Sequence, residues 1–321
     1  MKFVLTTIFL SGLYDPFSLE YASWAFRLFG IPYEIMPEVV DDAGDHFGTM
    51  SKTVLGSEIP IKCIMADQSA SVFGQGCFKS GQLKMSLGSG SFLDFNTGMD
   101  VHASMKGLVP LVGWRIGTDL VYLAEGAYHD TSSVILWAQN MGLFKTPEES
   151  GQIAAQAPDT NVFFVPGFNG LQAPINDPNA TAGFIGIQPE TKPDVFLRSI
   201  LESIAFGMKQ LLEIMEIESP QSLTSETIMI DGGVSNNDFI CQLISTLTGK
   251  NIERNTDVES SAFGVAFVAG LQSGIWKSKD DIHQLRCATK VFYPVEKEVE
   301  GRLDKYKKWV EACHRFKHWR T

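Results

Sequence analysis

Cysteine is sparse in this chain, and what there is of it is scattered. Cys63, Cys77, Cys241, Cys287 and Cys313 are odd in number and form no Cys-x-x-Cys pair. That excludes a disulfide framework and a zinc knuckle, and it fits a reducing cytoplasmic compartment. His314 and His318 could share a helix face beside Cys313, but three donors without a fourth argue for a solvated basic tail over a metal site. Positive charge is also short: 26 Lys and Arg stand against 37 Asp and Glu, a net charge of -11. Nucleic acid and anionic lipid both require basic surface, so neither is expected as a main partner. ATP stays open, because a few local amides and one cation can hold a phosphate on an acidic protein. Pro and Gly, 14 and 29 of 321 residues, are not in excess, which removes the compositional case for disorder. Long apolar runs are lacking too. Phe3-Val4-Leu5-Thr6-Thr7-Ile8-Phe9-Leu10 is far too short to cross a bilayer, so no membrane insertion is expected. Its single leading charge resembles a signal peptide, but no small-x-small cleavage pattern follows, and a buried strand or hairpin is the preferred reading.

What remains is a chain 44% hydrophobic, enough for one large domain or two small ones, with no internal repeat. Asp15-Pro16 marks a turn, Ser18 opens an amphipathic helix, and Gly30 closes it. Residues 41–58 are polar and glycine-dotted and read as loop. Ile61-Lys62-Cys63-Ile64-Met65 reads as a short buried strand ending at Ala66-Asp67-Gln68, where a helix starts. A carboxylate at such a junction suits an active site in an α/β fold, and it equally suits a helix N-cap. The strand-like runs Leu83–Leu87 and Phe92–Phe95 are joined by Gly88-Ser89-Gly90-Ser91, a hairpin whose backbone a phosphate could approach, although most Gly-Ser hairpins are only hairpins. The stretch 146–158 reads as polar loop. Residues 194–216 carry Phe196, Ile200, Ile204, Leu211 and Ile214 at helical spacing, which is a core stripe. Thr227 to Asp231 reads as a strand, followed by Gly232-Gly233 and a helix. The glycine pair could let a nucleotide lie on backbone, with Asn237 reaching it, or Asn237 could simply cap the helix. A second strand–helix unit follows, and Ala262, Gly264, Ala266 and Ala269 make its helix narrow. Residues 300–317 read as a charged, exposed helix.

Taken in order, Ala66-Asp67-Gln68-Ser69-Ala70, Gly88-Ser89-Gly90-Ser91-Phe92, Asn96-Thr97-Gly98, Asp231-Gly232-Gly233 and Gly264-Val265-Ala266 resemble glycerol kinases of the FGGY carbohydrate kinase family. Phe92-Leu93-Asp94, Trp114-Arg115-Ile116-Gly117 and Leu171-Gln172-Ala173-Pro174 look closest to the divergent branch called glycerol kinase five. The resemblance runs from Gly12-Leu13-Tyr14-Asp15-Pro16 to the last helix; each motif is modest and the ordered set is specific.

The resemblance implies an α/β fold: a ribonuclease-H-like lobe of the actin and hexokinase type, with a remnant of a second such lobe. The implied parts are 1–66 as N-terminal remnant, 67–285 as the C-terminal nucleotide-binding lobe, and 286–321 as a helical tail. By the same resemblance, Asp67 is the general base, Gln68 binds the polyol and Phe92 packs on its carbon edge. Ser89 faces the transferring phosphate, and Gly232, Gly233 and Asn237 hold the nucleotide. ATP and a small polyol are the implied partners, with Mg2+ as cofactor, and a homo-oligomer is compatible. Phosphoryl transfer needs such positioning and a carboxylate near the nucleophile. The chain also departs from the family. Ser132 and Leu136 stand where a Gly and a Gln touch ATP, and Ser69 replaces a second Gln. The Asp-Gly-Thr phosphate loop that positions magnesium and the Arg-Glu pair that clamps the polyol are not found, so the chain alone is expected to be inactive. Two functions are therefore carried forward: part of an ATP-dependent polyol kinase, or a non-catalytic nucleotide-binding or regulatory module.

Overall fold

Alternation along Leu83-Lys84-Met85-Ser86-Leu87 sets the centre of the fold. Leu83, Met85 and Leu87 point to one face of a sheet, Lys84 and Ser86 to the other, and all five are buried. A strand buried on both faces must be covered on both. In the computed structural model, which describes residues 2–220, 223–256, 259–285 and 288–320, seven strands form that sheet. Their spatial order is 288–292, 251–255, 227–231, 83–87, 91–98, 119–128 and 109–116. Strands 83–87, 91–98, 119–128 and 109–116 pair antiparallel, while 227–231 runs parallel to both 83–87 and 251–255. Met85 lies opposite Ile230 on one side and Leu93 on the other.

One helical layer covers the apolar face. Helix Pro193–Glu218, started by Pro193 in its first turn, buries Leu197, Ile200, Ile204, Met208 and Leu211 against Leu83, Met85 and Leu87. Helices Asp238–Thr248 and Glu296–Arg315 complete that core. The opposite layer pairs helices Asp67–Gly74 and Ser260–Gln272, and here the narrowness expected of the second helix is used. A Cβ on Gly264 would stand 1.7 Å from the Ala70 carbonyl oxygen, and one on Gly74 would stand 2.1 Å from that of Ser260. Only two glycines let these helices cross so closely.

Residues 2–66 attach beside the outer strand 109–116. Lys2–Val4 pairs parallel with Glu38–Val40. The expected strand or hairpin does not run on to Leu10: Leu5–Ile8 is a helical turn, because Leu5, Ile8 and Phe9 are buried at helical spacing. Helix Ser23–Phe29 ends at Gly30 as expected.

Three further expectations are corrected. Residues 61–65 form no strand: Ile61 and Ile64 are exposed, and only Cys63 bridges to Ala43. Their amides go instead to the carbonyls of Gly48 and Asp42. Residues 147–156, read as loop, are a helix whose Pro147, Glu148 and Glu149 favour its first turn. The segment 286–321, expected as a helical tail, contributes an edge strand and a helix that buries Tyr306, Trp309, Ala312 and Cys313 in the main core. The same packing divides the Cys313–His314–His318 set, since Cys313 faces the core and both histidines face solvent. Among the described residues no group of three or more His, Cys, Asp or Glu could hold a metal. Cys63, Cys77, Cys241 and Cys313 are buried, and Cys287 lies outside the described residues. No described helix is long and apolar enough to cross a membrane.

Candidate active site

The polar face of strand 83–87 opens onto a cleft of about 450 Å³. Asp67 and Gln68 enter it from the first turn of helix Asp67–Gly74. The start of that helix is fixed from the N-terminal part of the chain. The Ala66 amide donates to Thr6 Oγ1 at 3.1 Å, and the Thr6 hydroxyl donates to Asp42 Oδ1 at 2.6 Å. Asp42 also accepts from the Thr6 and Arg115 amides. It is fully buried, and burial pushes its carboxyl up to about 6 against those hydrogen bonds. From the other side Ser261 Oγ donates to the Asp67 carbonyl at 2.9 Å, while Asp67 Oδ1 accepts the Gln68 amide.

Facing Asp67 is the hairpin between strands 83–87 and 91–98, closed by the Gly88 amide on the Gly90 carbonyl at 2.9 Å. Ser89 is exposed at its tip, and Phe92 lines the cleft beside it. The hairpin is braced by Ser132: its hydroxyl donates to the Gly88 carbonyl, and its amide to that of Ser89 at 3.2 Å. One turn further on, Leu136 is 57% exposed. Gly232 closes the cleft at the end of strand 227–231, with φ +85°. A Cβ there would lie 2.4 Å from the Leu87 carbonyl oxygen, so glycine is required on both grounds.

Beneath the floor lies a charged network that reasoning from sequence missed. Lys84 is wholly buried, and its ammonium donates to Gln68 Oε1 at 2.8 Å, to Ser86 Oγ, and to Asp94 Oδ2 at 3.4 Å. Asp231 Oδ1 accepts from Ser86 at 2.5 Å, and Oδ2 accepts from Ser71. Burial pulls Lys84 down, but Asp231 and Asp94 outweigh it and keep it above the ordinary lysine value. Burial pushes Asp94 up despite Lys84, and burial together with Asp94 pushes Glu125, which also lines the cleft, up to about 9. The available signal was the alternation itself: Lys84 and Ser86 interrupt an otherwise apolar strand, and Asp94 stands between Leu93 and Phe95, where a buried polar residue must find a partner.

Asp67, Gln68, Ser89, Phe92 and Gly232 thus meet in one cleft. Gly233 and Asn237 are not among its lining residues. Gly233 has nothing within 4 Å of where its Cβ would stand. Asn237 is a cap: Oδ1 accepts the Phe239 and Ile240 amides, and Nδ2 donates to Ser150 Oγ at 3.1 Å.

Antiparallel strands extended by parallel ones, with helices on both faces and a cleft at the strand ends, form the ribonuclease-H-like fold of the actin and hexokinase type. The model of the FGGY family of carbohydrate kinases, C-terminal domain, matches residues 83–273. Glycerol kinase 5 of Danio rerio is 42% identical over 96% of this chain and 59% of its own length. Glycerol kinase of Pediococcus pentosaceus is 36% identical over 95% of this chain and 61% of its own. The crystal structure of Plasmodium falciparum glycerol kinase with ADP superposes with a TM-score of 0.89 at 27% identity, covering 98% of this chain and 63% of that one. The chain belongs to the FGGY family of carbohydrate kinases. It spans about three fifths of the length of the relatives named here.

Proposed function

We propose that this chain supplies the nucleotide-binding part of an ATP-dependent polyol kinase acting on glycerol or a similar polyol to give the 3-phosphate. The observation that carries the reading is one cleft holding Asp67 and Gln68 on one wall and the Gly88-Ser89-Gly90 hairpin with Gly232 on the other. The neighbouring ADP-bound structure supports a nucleotide as the ligand. Asp67 takes the proton of the acceptor hydroxyl. The acceptor oxygen then bonds the γ-phosphorus as the bond to the ADP oxygen breaks, its electrons leaving with ADP. Gln68 hydrogen-bonds the polyol, Phe92 packs against its carbons, and Ser89 faces the phosphate. The glycine hairpin and the open face at Gly233 fit a nucleotide, since both leave backbone approachable. Asn237 serves indirectly, by fixing the helix beside Gly233. Mg2+ would neutralise phosphate charge in such a reaction, but the described residues offer no acidic cluster for it, and no step here is assigned to it. A cytoplasmic location accompanies this reading, and a homo-oligomer remains compatible with it.

Alone, the chain is expected to bind nucleotide without turning it over. A non-catalytic or regulatory module is the second reading, favoured by Leu136, an exposed apolar side chain beside the phosphate hairpin. Calorimetry with ADP tests the shared part. Gly233→Val puts a branched side chain where a Cβ meets nothing within 4 Å, so a tenfold or greater loss of affinity is expected, and unchanged affinity would refute the nucleotide site. Glycerol-dependent ADP formation by a protein of the relatives' full length separates the readings. Loss of at least a hundredfold in kcat with Asp67→Asn supports the kinase, and no turnover in that full-length protein supports the module.

A further inference from the structure

The hydrogen bonds beneath the cleft floor can be followed donor by donor. Lys84 carries three protons, and three acceptors face it: Gln68 Oε1, Ser86 Oγ and Asp94 Oδ2. Ser86 and Ser71 give their own protons to the two oxygens of Asp231. The donors of Lys84, Ser86 and Ser71 are then spent. Two acceptors of the cluster are left over, Asp94 Oδ1 and Glu125 Oε2, both buried without a hydrogen-bonding donor. They belong to residues directly opposite one another on adjacent antiparallel strands. If both carboxylates were ionised they would repel, and each would leave a buried oxygen unsatisfied. One proton between them removes both defects.

We propose that Asp94 and Glu125 share one proton at neutral pH, and that the pair is a positioning element for Gln68, keeping Lys84 held against the Gln68 carboxamide oxygen. Lys84 can only donate, so the carboxamide oxygen faces the floor and the nitrogen faces the cleft. Gln68 then offers its ligand N–H donors and selects an oxygen acceptor such as a hydroxyl. The groups facing the pair are Lys84 from strand 83–87, Asp231 from strand 227–231 and Asp67 from helix Asp67–Gly74. Loss of the shared proton adds a negative charge beside Lys84, draws the ammonium toward the pair, and loosens its bond to Gln68. The positioning role rests on Gln68 being a polyol contact; the shared proton does not.

The full chain tests this without any assay of turnover. In wild type at pH 7, infrared spectroscopy with 13C-labelled carboxylates is expected to show a protonated carboxylic acid that is absent from Glu125→Gln. In 15N-glutamine-labelled protein, the Gln68 side-chain resonance, assigned by its loss in Gln68→Ala, is expected to shift as pH rises through the range in which the acid band disappears. Glu125→Gln replaces the shared proton by a permanent N–H donor, so its Gln68 resonance should keep the wild-type pH 7 position throughout. Asp94→Asn, which offers the same donor from the other strand, serves if Glu125→Gln does not fold. Absence of the acid band at pH 7 would overturn the shared proton. A Gln68 resonance with the same pH dependence in wild type and in the amide variant would overturn the positioning role. Failure of the kinase reading would appear in the Asp67→Asn assay and would move none of these signals.

Discussion

Gly232 and Gly233 are adjacent in sequence and opposite in tolerance. Gly232 has a positive φ and a carbonyl oxygen where its Cβ would go, whereas Gly233 faces open space. Gly232→Ala is therefore expected to lower stability by at least about 2 kcal/mol, and Gly233→Ala to leave it within about 0.5 kcal/mol, in urea unfolding followed by circular dichroism. Equal losses at the two positions would contradict this geometry. Lys84 makes a related point about buried charge. Its ammonium is held by groups from helix Asp67–Gly74 and strands 83–87, 91–98 and 227–231. It is tolerated because every one of its protons has an acceptor.

At the scale of elements, Asn237 decides how the Gly-Gly turn becomes a helix. Its side chain satisfies two amides at the start of helix Asp238–Thr248 and ties that start to Ser150 in the neighbouring helix. Asn237→Ala is expected to cost about 1 kcal/mol, read from the shift in urea midpoint, and an unchanged midpoint would mean the cap is not used. Much of this level was legible in the sequence. Helix Pro193–Glu218 announced itself through Ile200, Ile204 and Leu211, and the glycine hairpin through its own composition, because both signals are local. What was not legible depended on distant partners. Residues 61–65 are as apolar as a strand, but Ile61 and Ile64 face solvent and only Cys63 bridges, to Ala43, so no strand forms. Helix Pro147–Gln156 hid behind Glu148 and Glu149, whose polarity reflects its mostly exposed face. Of the candidate site, Asp67, Gln68, Ser89, Phe92 and Gly232 were named in advance. Lys84, Asp94 and Glu125 were not, because only the strand pairing reveals that they meet.

For the whole molecule, the most consequential correction is the C-terminal segment. Helix Glu296–Arg315 shows charge on most of its positions, yet Tyr306, Trp309 and Cys313 form a narrow apolar stripe that completes the main core. Trp309 is 1% exposed and donates its indole N–H to the Phe164 carbonyl at 2.8 Å. A chain ending at residue 285 loses this helix and the edge strand 288–292, and leaves the apolar sides of helices Pro193–Glu218 and Asp238–Thr248 bare. It is expected to be insoluble or to bind hydrophobic dyes strongly, whereas an independent tail could be removed with no change in the thermal transition of the remainder.

The clasp that sets Asp67 joins Thr6 to Asp42 and Ala66, and Ser261 holds the same helix start from 194 residues further along the chain. Contacts of such sequence separation carry a kinetic consequence. Their loop-closure entropy must be met before they return any energy, so the cleft is expected to be among the last features to form during refolding, well after secondary structure is established. A ligand that recognises the finished cleft would then report the slowest phase of folding, and stopped-flow ADP binding to refolding protein should lag behind recovery of the helical circular dichroism signal.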